Sequence, residues 1–239
     1  MGTGIRAGTS MTDRLALPQL FRLLTWASPS FPTGAFSYSH GLEYAVEEGL
    51  VKNAAQLQGW IGWIVRHGAL YADAVLLAHA HRAAEAGENA ALDEIAALAA
   101  AMRGTAETAM ESLQQGASFL DTAQAVWPHK RMAAFVKRNS AKPALPVAMA
   151  LLCAGSIPLP ETLGAYIHAG MANLVSAGVR LIPLGQTDGQ RSIAALEPAV
   201  SETIERALTT ALDDLATAAP MVDWTSMRHE TQYTRLFRS

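Results

Sequence analysis

The sequence predicts an all-α fold, a single-domain bundle of about ten helices, and three observations favour that fold class. Apolar residues recur at the three- and four-residue spacing of one helix face, most clearly at Leu57, Ile61 and Ile64. Half of the residues are hydrophobic, and alanine, a strong helix former, supplies much of that half. No window alternates polar and apolar residues as a half-buried strand would.

The first third of the chain is predicted to hold a leader and three helices. Residues 1–12 lack an apolar signal core and are interpreted as a flexible leader. A short apolar helix is predicted from Leu17 to Trp26, and a second helix from Ser39 to Leu50. The amphipathic pattern that begins at Gln56 extends to Arg82, and Gly87 is the predicted end of that helix.

The remaining helices follow from apolar periodicity and from proline and glycine breaks. Residues 183–192 are predicted to form a loop, and Pro198 predicts a kink or a break in the long helix that follows. Residues 221–239 mix aromatic and charged residues without a helical period, so a helical domain is placed at 13–220 and a C-terminal partner-binding tail at 221–239. The predicted helical segments are one that starts at Leu92, then Met110 to Trp127, Lys130 to Arg138, Leu145 to Ala154, Pro160 to Leu181 and Ile193 to Leu215.

Composition argues against nucleic acid and membranes as partners. The chain has 18 basic and 21 acidic residues, a net charge of −3, and no polybasic cluster. Pro143 to Pro160 and Thr162 to Val179 contain no charged residue, but prolines, glycines and polar residues interrupt them, so buried core helices are predicted there. Cys153 is the single cysteine, which excludes an internal disulfide, fits a reducing cytoplasm and predicts a small buried apolar residue.

Catalytic and cofactor motifs are missing from the sequence. There is no Gly-Lys dipeptide, and hence no Walker A phosphate loop, and no GxSxG, SxxK, GxGxxG or HExxH pattern. His79 and His81 are two residues apart, which points them to different sides of a helix and away from a shared metal ion. The sequence therefore predicts a protein that is not an enzyme and that holds no cofactor and no metal of its own.

Three irregular stretches remain after this search. The first is WASPSFPTGAFSYSHGLE, from Trp26 to Glu43, here called the opening motif; it is either a helix corner whose aromatic residues fill the core or a docking surface. The second is LGQTDGQR, from Leu184 to Arg191, where Thr187 or Asp188 could cap the next helix. The third is SMRHETQYTRLFRS at the C-terminus, which docks either on a partner or back on its own domain.

Together, and in this order, the three stretches resemble the UreF family of urease accessory proteins. Between residues 85 and 160 the similarity is limited to helical character. The resemblance implies an all-α fold that forms a homodimer and acts as a non-enzymatic scaffold. It implies binding to UreD (also called UreH), recruitment of the GTPase UreG, and delivery of nickel to apo-urease, with nickel and GTP held by the partner proteins.

The resemblance also implies which surfaces meet the partners. The opening motif and the C-terminal tail are expected to face UreD, and other surfaces to meet UreG. The alternatives are a helical enzyme with an unrecognised site near His168 and Gln186–Arg191, and an adaptor for another GTPase. The residues expected to bind partners are Phe36, Tyr38, Gly41, Leu42, Glu43, Gln186, Arg191, Arg228, His229, Tyr233, Arg235 and Phe237.

Overall fold

All regular structure in the computed structural model, which describes residues 15–239, is helical. The predicted all-α fold is confirmed, and the predicted leader at 1–12 lies outside the described residues. A short 3-10 helix, Ala35–Ser37, lies within the opening motif, and a second one covers Leu212–Asp214. The α-helices are α1 (Leu17–Trp26), α2 (Leu42–Glu47), α3 (Ala54–His67), α4 (Ala69–Ala86), α5 (Asn89–Ala101), α6 (Ala106–Val126), α7 (Lys130–Arg138), α8 (Leu145–Cys153), α9 (Leu159–Leu181), α10 (Gln186–Thr209) and α11 (Pro220–His229).

Helices α4 and α8 form the centre of a single hydrophobic core. Thirteen of the 18 residues of α4 and eight of the nine residues of α8 are buried, and the two helices pack against each other. Helix α8 is apolar on all sides, as expected for an element that other helices surround, and α4 is apolar apart from Asp73 and the polar residues of its last two turns. Cys153 lies at the end of α8 and is fully buried, so the prediction of a small buried apolar residue is confirmed, and burial raises the pKa of its thiol to about 12.

One continuous stretch, Ala54–Ala86, is long and apolar enough to cross a membrane by length and composition. It comprises α3 and α4, and 78% of its most apolar window is buried inside the protein. The core helices of water-soluble proteins have this property too. The charge-poor segments around α8 and α9 are likewise packed into the core, as the sequence predicts.

Local sequence signals account for several helix boundaries. The Asn53 side chain accepts a hydrogen bond from the Gln56 backbone N–H at 3.0 Å and starts α3, and Thr105 starts α6 in the same way. Gly87 ends α4 in the left-handed conformation, with φ of +75°, as predicted. The predicted continuous helix from Gln56 to Arg82 is wrong, because the backbone is extended at Gly68 and separates α3 from α4.

Two segments predicted to be irregular are helical instead. The predicted loop at 183–192 is wrong beyond Gly185, since α10 begins at Gln186; the Asp188 carboxylate accepts a hydrogen bond from the Gly185 backbone N–H at 3.3 Å. Helix α10 then continues through Pro198 without a break while packing along α3 and α9. The start of the C-terminal tail, predicted to lack a helical period, forms α11.

Candidate partner-binding site

The opening motif folds as a tight corner between α1 and α2. Its backbone is left-handed at Gly34, His40 and Gly41, with φ of +77°, +53° and +72°. The left-handed positions at His40 and Gly41 interrupt the predicted helix from Ser39 to Leu50, which covers only Leu42–Glu47. The corner also brings the motif against α11, because a Cβ atom built on Gly41 would lie 2.5 Å from the backbone nitrogen of Ser226.

Gly41 and Gly34 together provide a test of this close approach. We expect Gly41→Ala to lower the free energy of unfolding by about 1–2 kcal/mol for the left-handed backbone, plus a further cost for displacing α11. Gly34→Ala is the matched control, because its φ is also positive but no atom lies within 4 Å of the added Cβ. Urea denaturation of both variants measures the difference; equal losses would show that α11 is not held against Gly41.

The aromatic residues of the opening motif divide between core and surface. Trp26 packs edge-on against Trp127 with ring centroids 5.9 Å apart, and Phe31 packs against Phe119 at 4.9 Å. Phe36, on the 3-10 helix, is 67% exposed. The two alternatives for the motif therefore apply to different residues, since Trp26 and Phe31 fill the core while Phe36 remains available on the surface.

Three buried carboxylates lie where the opening motif, α6 and the C-terminus meet. Glu43 from α2 and Glu107 and Glu111 from α6 are each at most 7% exposed. We call these three residues the carboxylate cluster. Burial raises the pKa of Glu107, although hydrogen bonds and charge from His229 and Arg235 oppose that shift. Buried carboxylates of this kind need hydrogen-bond donors, and the C-terminus supplies them.

Histidine 229, fully buried at the end of α11, lies between two members of the cluster. Its Nε2 is 3.0 Å from Glu43 Oε2, and its Nδ1 is 2.8 Å from Glu107 Oε2. The other oxygen of Glu107 accepts a hydrogen bond from Arg235 Nη1 at 3.0 Å. The imidazole therefore connects α2 to α6 through α11 and holds the three elements together.

Residues 230–239, here called the strap, run back across the opening motif. The backbone N–H groups of Leu236 and Phe237 donate to the two oxygens of Glu43 at 2.6 and 2.9 Å. Ser239 Oγ donates to Glu111 at 2.9 Å, and its carbonyl oxygen accepts from the Ser39 backbone N–H at 2.8 Å. The C-terminus therefore docks on its own domain, which was one of the two alternatives for this segment.

Glu111 has a second partner in the opening motif. His40 Nε2 lies 2.9 Å from Glu111 Oε1. Burial works against a charge on His40, but the nearby Glu111 carboxylate outweighs burial and raises the pKa of His40. The carboxylate cluster is thus contacted by a histidine of the opening motif on one side and by the strap on the other.

A buried ion pair lies beneath this region, beside a cavity of about 230 Å³ between the opening motif and the core helices. Arg103 Nη2 donates to Asp73 Oδ1 at 2.5 Å and to Ser112 Oγ at 2.7 Å, and the Tyr166 hydroxyl donates to the other Asp73 oxygen at 2.7 Å. Both charged side chains are less than 10% exposed. The pair is part of the wall of the cavity.

Half of the residues predicted to bind partners are buried. The buried ones hold the opening motif, α11 and the strap together. In this structure they support the surface from beneath and are not themselves exposed on it. That half is Tyr38, Gly41, Leu42, Glu43, His229 and Phe237, and the exposed half is Phe36, Gln186, Arg191, Arg228, Tyr233 and Arg235.

The opening motif and the C-terminus are brought together, whereas Gln186 and Arg191 lie apart on the first turns of α10. Arg191 pairs with Asp188 one turn earlier at 2.8 Å, and within residues 15–239 neither residue has a hydrogen bond to the opening motif or the strap. His168 is exposed on α9, about 20 Å along the helix from its end at Leu181, so it does not share a site with Gln186–Arg191.

Apolar side chains are exposed on the outer side of α11 and on the strap that follows it. Met221, Trp224 and Met227 recur every three residues and are 49%, 40% and 50% exposed. Tyr233 is fully exposed and Leu236 is 65% exposed. We call these five residues the α11–strap face. The exposed guanidinium groups of Arg228 and Arg235 border it.

Sequence reasoning missed the members of the site that lie far from the motifs. Glu107 and Glu111 are four residues apart on one face of α6, a weak sign on its own, and their partners on α11 and the strap are more than 100 residues away in sequence. Met221, Trp224 and Met227 show a helical spacing in the sequence that could have revealed the exposed face.

Metal ligands do not cluster in the described part of the chain, where no group of three His, Cys, Asp or Glu residues could hold an ion. His79 and His81 each contact a backbone carbonyl, Thr210 at 2.9 Å and Ile157 at 3.0 Å. The prediction that these two histidines do not share an ion agrees with this geometry.

Comparison with known proteins identifies the family. The family model described as UreF matches residues 51–197. A urease accessory protein UreF of Rhodopseudomonas palustris (strain HaA2) is 52% identical over 92% of this chain and 93% of its own length. The Granulibacter bethesdensis urease accessory protein UreF is 51% identical over 98% of both chains, and that of Bradyrhizobium sp. (strain BTAi1) is 48% identical over 96% and 95%. The chain belongs to the UreF family of urease accessory proteins.

Proposed function

We propose that this chain is a cytoplasmic, non-enzymatic scaffold that links UreD (UreH) and the GTPase UreG while nickel is inserted into apo-urease. The observation that carries the proposal is about 50% identity to urease accessory proteins across almost the full length of both chains. We further propose that the scaffold works as a homodimer. Nickel is then the cargo and GTP the substrate of the partner proteins, and this chain holds neither.

The α11–strap face is our candidate for the UreD-facing surface. An apolar stripe with a tryptophan and a tyrosine, bordered by arginines, has the composition of interface hot spots. Phe36, which is 67% exposed on the opening motif, is a further candidate; Arg180 links its segment to the strap by donating to the Phe36 carbonyl at 3.1 Å and lying 4.4 Å from the Phe237 ring centroid. The exposed residues would contact UreD directly, and the buried ones would hold them in place.

UreG is expected on a different surface. Gln186 and Arg191 are both exposed at the start of α10, away from the hydrogen bonds that hold the strap. The Arg191 side chain is 72% exposed, so its guanidinium has donors available for a carboxylate of another protein.

A deletion experiment tests the function as a whole. Removing the gene from a urease-positive host should abolish urease activity while the amount of urease protein stays unchanged, and nickel-free urease should accumulate. Co-expressed chain, UreD and UreG should purify as one complex, whereas the isolated chain should bind neither GTP nor stoichiometric nickel. Full urease activity in the deletion strain would contradict the proposal, and complex formation with a different GTPase would favour the adaptor alternative.

A further inference from the structure

The strap is held to the protein chiefly by polar contacts. Among residues 230–239 only Phe237 and Ser239 are buried, so little apolar surface is removed from water when the strap docks. Its hydrogen bonds to the carboxylate cluster come from the Arg235 side chain, the Leu236 and Phe237 backbone and the Ser239 hydroxyl. Docking therefore depends on the charge state of the cluster and of His229.

Counting hydrogen atoms at His229 shows that the docked state holds an additional proton. Both ring nitrogens lie within 3.0 Å of a carboxylate oxygen, and an ionised carboxylate can only accept hydrogen bonds. Two such contacts need two hydrogen atoms, but a neutral imidazole carries one N–H. The group Glu43–His229–Glu107 therefore contains one more proton than two carboxylates and a neutral imidazole, whether that proton lies on the ring or on a carboxyl.

The other charged groups around His229 do not supply this proton. Arg235, from the strap, has its own bond to Glu107 Oε1, and Glu230 adds a negative charge near Glu107. On α2, the Glu43 oxygens also accept hydrogen bonds from the backbone N–H groups of Leu236 and Phe237. These amides do not titrate, so they add no proton to the contact between Glu43 and His229. Farther along α6, the Glu111 carboxylate is hydrogen-bonded to His40, Gln115 and Ser239 and does not contact His229.

We propose that the carboxylate cluster is a receptor site for the chain's own residues 229–239, and that filling this site takes up one proton from solution at neutral and alkaline pH. The ligand that the site recognises is a chain segment with a histidine, an arginine and two adjacent free backbone N–H groups. The undocked state of this proposal is the one in which the whole segment 229–239 has left the site, so that His229 is in water, where a histidine loses its proton above about pH 6.5. Docking at higher pH must therefore bind that proton again.

The direction of the pH effect follows from this uptake. A state that binds one extra proton loses up to about a factor of ten in its equilibrium constant for each pH unit above about 6.5. Residues 229–239 are thus most firmly docked near neutral and slightly acidic pH, and this segment opens as the pH rises. This is a property of the isolated chain and does not rest on the proposed function.

Amide hydrogen exchange of the full-length protein tests the proposal. Protection of the Leu236 and Phe237 N–H groups, corrected for the intrinsic exchange rate, should fall up to about tenfold per unit between pH 6.5 and 8.5. Amides of the buried helix α4 are the internal reference and should stay constant over this range. Strap protection that does not change with pH would overturn the proposal.

A variant in which residue 107 itself donates a hydrogen bond to His229 provides a second test of the proposal. In Glu107→Gln the amide can donate to Nδ1 of a neutral His229, so docking no longer needs a proton and its pH dependence should disappear. Thr234→Ala is the control, because Thr234 is exposed and makes no hydrogen bond within residues 15–239, and it should keep the wild-type slope. A wild-type slope in Glu107→Gln would also overturn the proposal, even if docking were weaker at every pH.

Discussion

Arg103→Met should lower the free energy of unfolding by about 3–5 kcal/mol, the largest loss of stability that we expect from a single substitution in this protein. The guanidinium is buried and donates to both Asp73 and Ser112, so its removal leaves the Asp73 carboxylate without a cation in the core. Only the Tyr166 hydroxyl would still contact that carboxylate. Urea denaturation of the variant measures the loss.

The Arg138–Asp93 pair provides the matched control for this experiment. It is also an arginine–aspartate contact, with two bonds of 3.1 Å, but both side chains are about 30% exposed. Arg138→Met should therefore cost at most about 1 kcal/mol. Adding Asp73→Asn to Arg103→Met should restore part of the lost stability, because the unpaired charge is removed. Equal losses for Arg103→Met and Arg138→Met would show that the Asp73 charge is not isolated from water.

Met227→Glu should weaken capture of UreD by about 2–4 kcal/mol, which corresponds to roughly 30- to 1000-fold in affinity. Met227 is half exposed at the middle of the α11–strap face, and a carboxylate there would have to lose its water shell in an apolar interface. Because the side chain points to solvent in the isolated protein, stability should stay nearly unchanged. Affinity for UreD by calorimetry and the urea midpoint separate the two effects.

Val136→Glu is the control for this substitution. Val136 is 43% exposed on α7, a helix that packs against α6 and α8, and the change introduces the same charge on a different surface. It should leave capture of UreD unchanged. Loss of capture in both variants would indicate a general charge effect, and normal capture by Met227→Glu would exclude the α11–strap face as the UreD site.

Helices with a clear local signal could be predicted from the sequence, and contacts between distant segments could not. Lys130 to Arg138 has the predicted bounds, because a proline before it and an irregular polar segment after it restrict its length. The break at Gly68 was missed, since a lone glycine within an apolar helical pattern is also compatible with a continuous helix. The helix start at Gln186 depends on the hydrogen bond between the Asp188 side chain and the Gly185 N–H. The sequence suggests a cap by Thr187 or Asp188 but does not show at which residue the helix begins.

The sequence predicted which segments form the candidate site, but it did not predict the role of each residue within them. Aromatic and arginine residues were expected on a surface by composition, yet Tyr38 and Phe237 are buried. Phe237 is held by Glu43, whose side chain accepts backbone hydrogen bonds of the strap, and the Tyr38 hydroxyl donates to Gln114 on α6. A buried carboxylate has no special pattern in a sequence when its partners are supplied by the other end of the chain.

The separation of 193 residues between Glu43 and Leu236 has a consequence for synthesis of the protein. A ribosome that adds about 5–20 residues per second needs roughly 10–40 s to make that length of chain. During that time the nascent opening motif has left the ribosome, but the donors for Glu43 do not yet exist. The strap must therefore dock long after the opening motif has emerged, and until residues 229–237 have been made the Glu43 carboxylate can be paired only by water or by another protein.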